Sequence, residues 1–429
     1  MTLDRYPPAE SSLIESVSFE HEGRAYRGEK GYLAWEPDRG FHIEARMSLV
    51  GGEPFSVIPL PAGPRDATRL TVTLELPDGQ RAIGRDVPFA WDYALHSSNR
   101  LVIDSDTLEF RGHSDHPGQT TEWKGAALYT FPTGVLLPHL IERVTTFPLS
   151  KVRGTDYETG IDAQSSEEEV SFVAHRAEGD RLKVHWVLPQ STWAADQAWS
   201  WPEALGLALR LVYGHTAPLL WREMKDQSGA RAEVCKKRHS HSLWFLPHPY
   251  PDEDHVRLLR KVASFLARRD GKAATCGNII GQMTEAARQQ TYPATELLLA
   301  TILEATLRHV LNEPFRDRRR GGKPLSIQNR MTALIREHLT SDWKSVCEHA
   351  VAVQDRLRQR NAHPDWTNSD PSVKPWTLPD VRIADLRFLA EFYRGVVFAL
   401  AGLKEVSLGR LQMLAARDPS EAEGNAGTD

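Results

Sequence analysis

The chain has 429 residues, of which 41% are hydrophobic and 25% charged, and a net charge of −5 at neutral pH. Such a composition excludes a disordered or fibrous chain and fits a soluble globular protein of two or three domains. Cys235, Cys276 and Cys347 lie far apart and form no CxxC or CxH pattern, which argues against a disulfide framework or zinc ribbon and for a reducing, cytoplasmic setting.

Residues 1–12 are polar and acidic, so no signal peptide is expected, and no apolar run approaches membrane-spanning length. The net charge hides an asymmetry. Residues 252–417 hold 26 Lys+Arg against 19 Asp+Glu, whereas residues 1–251 hold 26 against 34. A basic C-terminal part suggests a polyanionic partner for that part.

The expected fold class is α+β: an antiparallel β-rich domain, sandwich- or barrel-like, over residues 1–248, then an all-helical bundle over 252–417 and a disordered tail over 418–429. In the first part, Phe41–Leu49 and Leu70–Leu76 alternate apolar and polar residues, and Pro77-Asp78-Gly79 marks a turn. Further strand candidates are Asn99–Ile103, Leu108–Arg111, Ala127–Phe131, Val170–Ala174, Leu182–Leu188 and Ser242–Leu246. One helix is expected from Pro202 to Tyr213, with its cap near Ser200 or Trp201. Nine of the twelve tryptophans fall in this half, where core packing is their expected role. Asp162–Glu169 reads as an acidic surface loop.

Prolines at 247, 249 and 251 mark the junction, because they neither continue a ladder nor enter a helix interior. Beyond it the period becomes helical. Asp252 caps a helix bearing Val256, Leu259, Val262 and Leu266. A second helix covers about Ala273–Arg288. Pro293 opens a third, running through Leu311 with Leu297, Leu303, Leu307 and Val310. Ser326 starts a fourth, with Ile327, Met331, Leu334 and Ile335. Ser341 starts the fifth, with Val346, Ala350, Val353 and Leu357. Thr377-Leu378-Pro379-Asp380 reads as a capping box for a sixth, with Ile383, Leu386, Leu389, Tyr393 and Val397. A last short helix runs towards Arg417.

The fifth helix carries the candidate site. It ends in Arg356-Leu357-Arg358-Gln359-Arg360-Asn361-Ala362-His363-Pro364. Pro364 disfavours αR at His363, so the helix should stop there with an imidazole beside fixed cations. Metal-free cleavage of RNA needs a base for the 2′-OH, an acid for the leaving 5′-oxygen and cations for the phosphorane. His363 suits either proton-transfer role. Arginine offers a planar fork matched to phosphate, and Asn361 can orient the phosphate or the ring.

One imidazole does not fill both roles at once, so two chains are expected to meet. Arg356 and Arg360 share a helical face with position 363, while Arg358 lies about 140° away in a straight helix. A break before Pro364 leaves Arg358 open. Glu304, seven residues after Leu297 on the stripe expected to face the core, is a candidate to orient a motif arginine. The basic loop Arg316, Arg318, Arg319, Arg320 and Lys323 is a candidate RNA-backbone contact.

His113-Ser114-Asp115-His116 and His239-Ser240-His241 lack an evident third and fourth metal ligand, and neither a metal nor a cofactor is called for.

The residues 252–417 resemble a HEPN domain, an all-helical bundle whose motif is Arg, four to six residues, then His. Arg358 to His363 fits it, as does Arg356 at the longer spacing. A polar residue, often Asn, follows the motif arginine in many members, and here Gln359 follows Arg358. The layout of a β-rich half before such a bundle is similar to ApeA-type abortive-infection proteins. The resemblance implies a cytoplasmic, metal-independent endoribonuclease in antiphage defence, dimeric or of higher order, with a composite site. RNA, including tRNA, is the implied substrate, and a phage-derived trigger the implied signal. The main alternative is a non-catalytic RNA-binding and dimerisation module governed by the β domain. Regulation by a partner nucleotidyltransferase ranks last, since Asp365 stands where a tyrosine is usual.

Overall fold

A computed structural model of the chain describes residues 12–21, 24–36, 40–49, 69–76, 81–90, 100–113, 121–132, 160–161, 170–177, 180–225, 229–246, 255–289, 291–311, 326–362 and 380–416. Their architecture is mixed α+β, with a β-rich sheet in the N-terminal part and a helical region in the C-terminal part.

The strands are β1 (Ser12–His21), β2 (Arg24–Glu36), β3 (Gly40–Leu49), β4 (Arg69–Glu75), β5 (Arg81–Ala90), β6 (Arg100–Ser105) and β7 (Thr107–His113). They continue as β8 (Glu122–Thr130), β9 (Gly160–Ile161), β10 (Ser171–Ala177), β11 (Arg181–Pro189), β12 (Leu219–Lys225) and β13 (Gly229–Cys235). The sheet order is β4-β1-β2-β3-β6-β5-β7-β13-β12-β8-β11-β10-β9, and β4 also pairs with β5. Six strands, β4-β1-β2-β3-β6-β5, therefore pair around a closed ring. The other seven extend from β5 as a wing.

Alternation explains which side is filled. Phe41, Ile43 and Ala45 of β3 join Leu70, Val72 and Leu74 of β4 in one core cluster, while the interleaved His42, Glu44, Thr71 and Thr73 are not buried. Each such fully buried aliphatic side chain contributes roughly 1.5–3 kcal/mol. In the wing, Gly125 of β8 leaves room for Trp186 of β11. A Cβ there would stand 2.2 Å from the Trp186 ring.

The helices are α1 (Ala195–Tyr213), α2 (His255–Ala267), α3 (Gly271–Arg288), α4 (Tyr292–Val310), α5 (Ile327–His338), α6 (Lys344–Ala362), α7 (Asp380–Leu400) and α8 (Leu408–Ala415), with a 3-10 turn at Ser341–Trp343 before α6. Asp270 caps α3 by accepting from the Ala273 amide at 2.8 Å. Ser326 caps α5 through the Asn329 amide at 3.2 Å. The expected stripes are buried: Val256, Leu259, Val262 and Leu266 on α2, Val346, Ala350, Val353 and Leu357 on α6, and Leu386, Leu389, Tyr393 and Val397 on α7.

The described residues form two compact units, and these do not follow chain order. One holds the strands. The other holds α2 to α8 together with α1, which lies between β11 and β12 in sequence. The contacts that tie α1 into the helical unit include the ion pair of Glu203 with Arg269 at 2.8 Å. Arg210 donates to Thr284 Oγ1 at 2.7 Å. The Tyr213 hydroxyl meets His255 Nδ1 at 3.1 Å. Arg394 donates to the Leu211 carbonyl at 3.2 Å. Gly214, at φ +69°, ends α1 in the left-handed conformation that glycine takes without strain.

Two expected elements need correction. α1 begins at Ala195, not near Ser200, and carries Pro202 inside. Proline forfeits one backbone bond there, but Trp199 and Trp201 on the same turns are buried. Ser242–Leu246 is not a strand. Only Ser242 pairs, in an isolated bridge with His215, and Leu246 closes a turn onto Leu243. Leu243, Phe245 and Leu246 are buried in the helical unit, so apolar content there reflects a packed turn. The Asp252 cap, the residues 247–251, the residues 377–379 of the expected capping box, the acidic loop 162–169 and the tail 418–429 lie outside the described residues.

Candidate functional site: two arginines held from opposite sides of one helix

Helix α6 has α4 on one side and α7 on the other. Two residues along an α-helix turn about 200°, so Arg356 and Arg358 diverge. Arg356 Nη2 reaches Asp385 Oδ1 of α7 at 2.7 Å, and that carboxylate is almost fully buried. Arg358 Nη1 reaches Glu304 Oε1 of α4, also at 2.7 Å. The Arg358 side chain remains 40% exposed.

The α4–α6 contact has a register. Gln354, buried, donates to the Ala300 carbonyl at 2.9 Å. One turn on, Arg358 meets Glu304. Both helices therefore run in the same direction here, and four residues advance each by one turn. Arg308 stands one further turn along α4 from Glu304. Sequence reading passed over Arg308, although its spacing of four from Glu304 is a helical-face signal. Its Nε is sealed from solvent and has no hydrogen-bond partner among the described residues.

Glu304 does not lie on the core stripe as expected. Leu297, the reference for that stripe, is 50% exposed. The other expected members, Leu303, Leu307 and Val310, are buried, and the buried face also takes in Thr295, Glu296, Leu299, Ala300, Ile302 and Thr306. Glu304 flanks that face with partial exposure. Solvent and the guanidinium together keep its carboxylate satisfied, so no burial cost arises. From α7, the Tyr393 hydroxyl donates to the Leu299 carbonyl, and burial drives that phenol's pKa well above its ordinary value.

Of the other site candidates, Arg360 and Asn361 belong to the last turn of α6. Their side chains, like all of His363, lie outside the described residues. So do Arg316, Arg318, Arg319, Arg320 and Lys323. His113 ends β7, and residues 114–116 again fall outside. The segment His239-Ser240-His241 straps onto Thr216: Ser240 Oγ donates to its carbonyl, and the His241 amide donates to its Oγ1 at 2.7 Å.

Among the described residues no group of three His, Cys, Asp or Glu is placed to hold a metal ion. No described helix is long and apolar enough to cross a membrane. Burial pushes the Cys276 and Cys347 thiols up to about 12, which keeps both protonated at neutral pH and unsuited to nucleophilic work. No protein-family model, curated protein or solved structure matches the chain.

Chemically, the end of α6 offers a guanidinium fixed by one carboxylate and still open on its other edge. An anion arriving there meets a pre-oriented fork. Arg308, four residues after Glu304, puts a second cation on α4.

Proposed function

We propose that the helical unit is a metal-independent endoribonuclease of the HEPN type, acting in antiphage defence by abortive infection, with the β-rich unit as its sensor or regulator. The observation that carries this reading is the Glu304-anchored, partly exposed Arg358, five residues before His363 in sequence. Arg358 binds the scissile phosphate, and Glu304 fixes its fork. Arg356 is the weaker candidate, because the buried Asp385 already takes it up. Arg308, Arg360 and Asn361 support the phosphate.

His363 is the general acid/base. One imidazole takes the proton of the ribose 2′-OH as that oxygen bonds to phosphorus. The P–O5′ bond breaks, and an imidazolium protonates the departing oxygen. The products are a 2′,3′-cyclic phosphate and a 5′-hydroxyl. Two copies of the chain, each bringing one such helix end, supply both proton-transfer groups. The cations stabilise the phosphorane electrostatically, commonly the largest catalytic term.

The test is cleavage of cellular RNA by the purified full chain in EDTA, with sequencing of the ends, beside expression under phage challenge. His363→Ala is expected to abolish cleavage and protection while its circular dichroism and melting stay those of the native chain. Cleavage that survives in His363→Ala, or that depends on added Mg²⁺, overturns the proposal. RNA bound but left intact under activating conditions replaces it with the non-catalytic binding module.

A further inference from the structure

A second concentration of arginine lies on the sheet, in the acid-rich half of the chain. Register sets Arg81 of β5 opposite Arg111 of β7, and Arg111 opposite Arg231 of β13. Neighbouring strands are about 4.8 Å apart, so three guanidinium-bearing side chains stand in a row on one face. Arg85, four residues after Arg81, shares that face and approaches Glu109 at 3.8 Å. Like charges placed directly opposite destabilise a strand pair, so such a row calls for negative charge.

The face supplies too little of it. Glu109, only 8% exposed, is shared by Arg111 at 2.7 Å, Arg231 at 2.8 Å and Arg85. Burial would raise the Glu109 carboxyl, but hydrogen bonds and charge from Arg231 and Arg111 hold it below its ordinary value. Glu75 lies 3.6 Å from Arg81. Glu233, opposite Glu109, is engaged by Arg222 at 2.6 Å. Among the described residues, Arg81, Arg85 and Arg111 thus share two carboxylates, Glu75 and Glu109. The surplus is outward: the side chains of Arg81 and Arg85 are 66% and 61% exposed. The exposed large apolar side chains among the described residues, Trp244, Tyr292, Leu297 and Met413, all belong to the helical unit. The row therefore offers forks for phosphate oxygens and, among the described residues, no largely exposed ring on which a base would stack.

We propose that this arginine face of β5, β7 and β13 docks the phosphate backbone of a nucleic-acid strand, without base preference. Small ligands favour concave, largely apolar pockets, and an open strand face lined with guanidinium suits a repeating phosphodiester instead. Phosphate contacts give affinity and position, whereas base-edge contacts give sequence. This surface belongs to the strand unit and the α6 site to the helical unit, and the proposal stands without the endoribonuclease reading.

The experiment uses full-length protein carrying His363→Ala, with fluorescent single-stranded oligo(U) and oligo(A) RNA followed by anisotropy across a salt series. Both oligonucleotides are expected to bind alike. Arg81→Glu/Arg85→Glu is expected to weaken both at least tenfold. It should also flatten the slope of log K against log salt by about 1.4, at roughly 0.7 for each phosphate that is no longer neutralised. Arg81→Gln/Arg85→Gln is read in parallel, so that a folding defect of the charge reversal, checked by thermal melting, leaves the question answerable. Unchanged affinity and slope in a folded variant overturn the proposal, as does competition by polyglutamate equal to that by RNA. Should the row control affinity while wild-type protein cleaves nothing, this inference stands and the endoribonuclease reading falls. The reverse pattern separates them the other way.

Discussion

Arg356 and Arg358 differ by two positions and by almost everything else. The sequence places both within motif distance of His363 and leaves their roles open. What separates them is the partner each finds, and partners come from α4 and α7, some 30 to 55 residues away in sequence. Arg308 was passed over for a related reason: its spacing of four from Glu304 gains meaning only once Glu304 is seen to hold Arg358. A half-buried guanidinium with a sealed, unpartnered Nε gives little to stability. Arg308→Ala should therefore leave the melting temperature unchanged or raised, while slowing RNA cleavage about 100-fold, the scale of removing one charge-stabilising donor. Single-turnover kinetics beside calorimetry checks this. A lowered melting temperature with unchanged turnover would make Arg308 structural.

At the scale of elements, strands with clean alternation were legible. β3 and β4 match their expected bounds to within a residue, because one face of each is buried in the ring. β2 and β5 carry no such signal. β2 contains Gly28 and Gly31 and shifts register between Glu29 and Tyr32. Gly31 is required there, since a Cβ would stand 2.3 Å from the Glu44 carbonyl. β5 contains Gly84 and Pro88. The helix cap at Ser326 and the stripe of α6 were legible because both are local. Gly395, inside α7, was not: it looks like a weak point in a helix but is a packing contact. A Cβ there would stand 2.8 Å from the Trp343 ring and 2.9 Å from Ser407 Cβ. Gly395→Ala gains helix propensity, worth about 1 kcal/mol, and forfeits roughly 1–3 kcal/mol to overpacking. The expected result is a lower melting temperature, recovered by a smaller side chain at Trp343. A stabilised Gly395→Ala protein would show that the turn before α6 yields freely.

For the molecule as a whole, the sequence suggests a cut near residue 251, where prolines cluster and the period changes. The contacts draw the line elsewhere, since α1 belongs with the helices. Residues 252–429 alone would lack the Arg394–Leu211, Arg210–Thr284 and Tyr213–His255 hydrogen bonds. They would also leave the wholly buried Arg394, paired with Glu391, short of an acceptor. Losing one hydrogen bond to a buried charged group costs roughly 1.5–3 kcal/mol. The fragment 252–429 is expected to show a broad, non-cooperative melt, and a peptide spanning residues 195–217 added in trans should sharpen it. Cooperative unfolding of the fragment by itself would refute the dependence.

The interleaving also orders events in time. β13 sits between β7 and β12 in the sheet, yet it is translated more than a hundred residues after β7. A ribosome can release the six ring strands to close among themselves. β7 can join them through β5, but β8 to β12 have no bridge to β7 until residue 235 has emerged, by which point α1 has already been made. During that interval the margin of β7 that will receive β13 stays unpaired among the described strands, and it is where a chaperone, or a misplaced strand, would first bind.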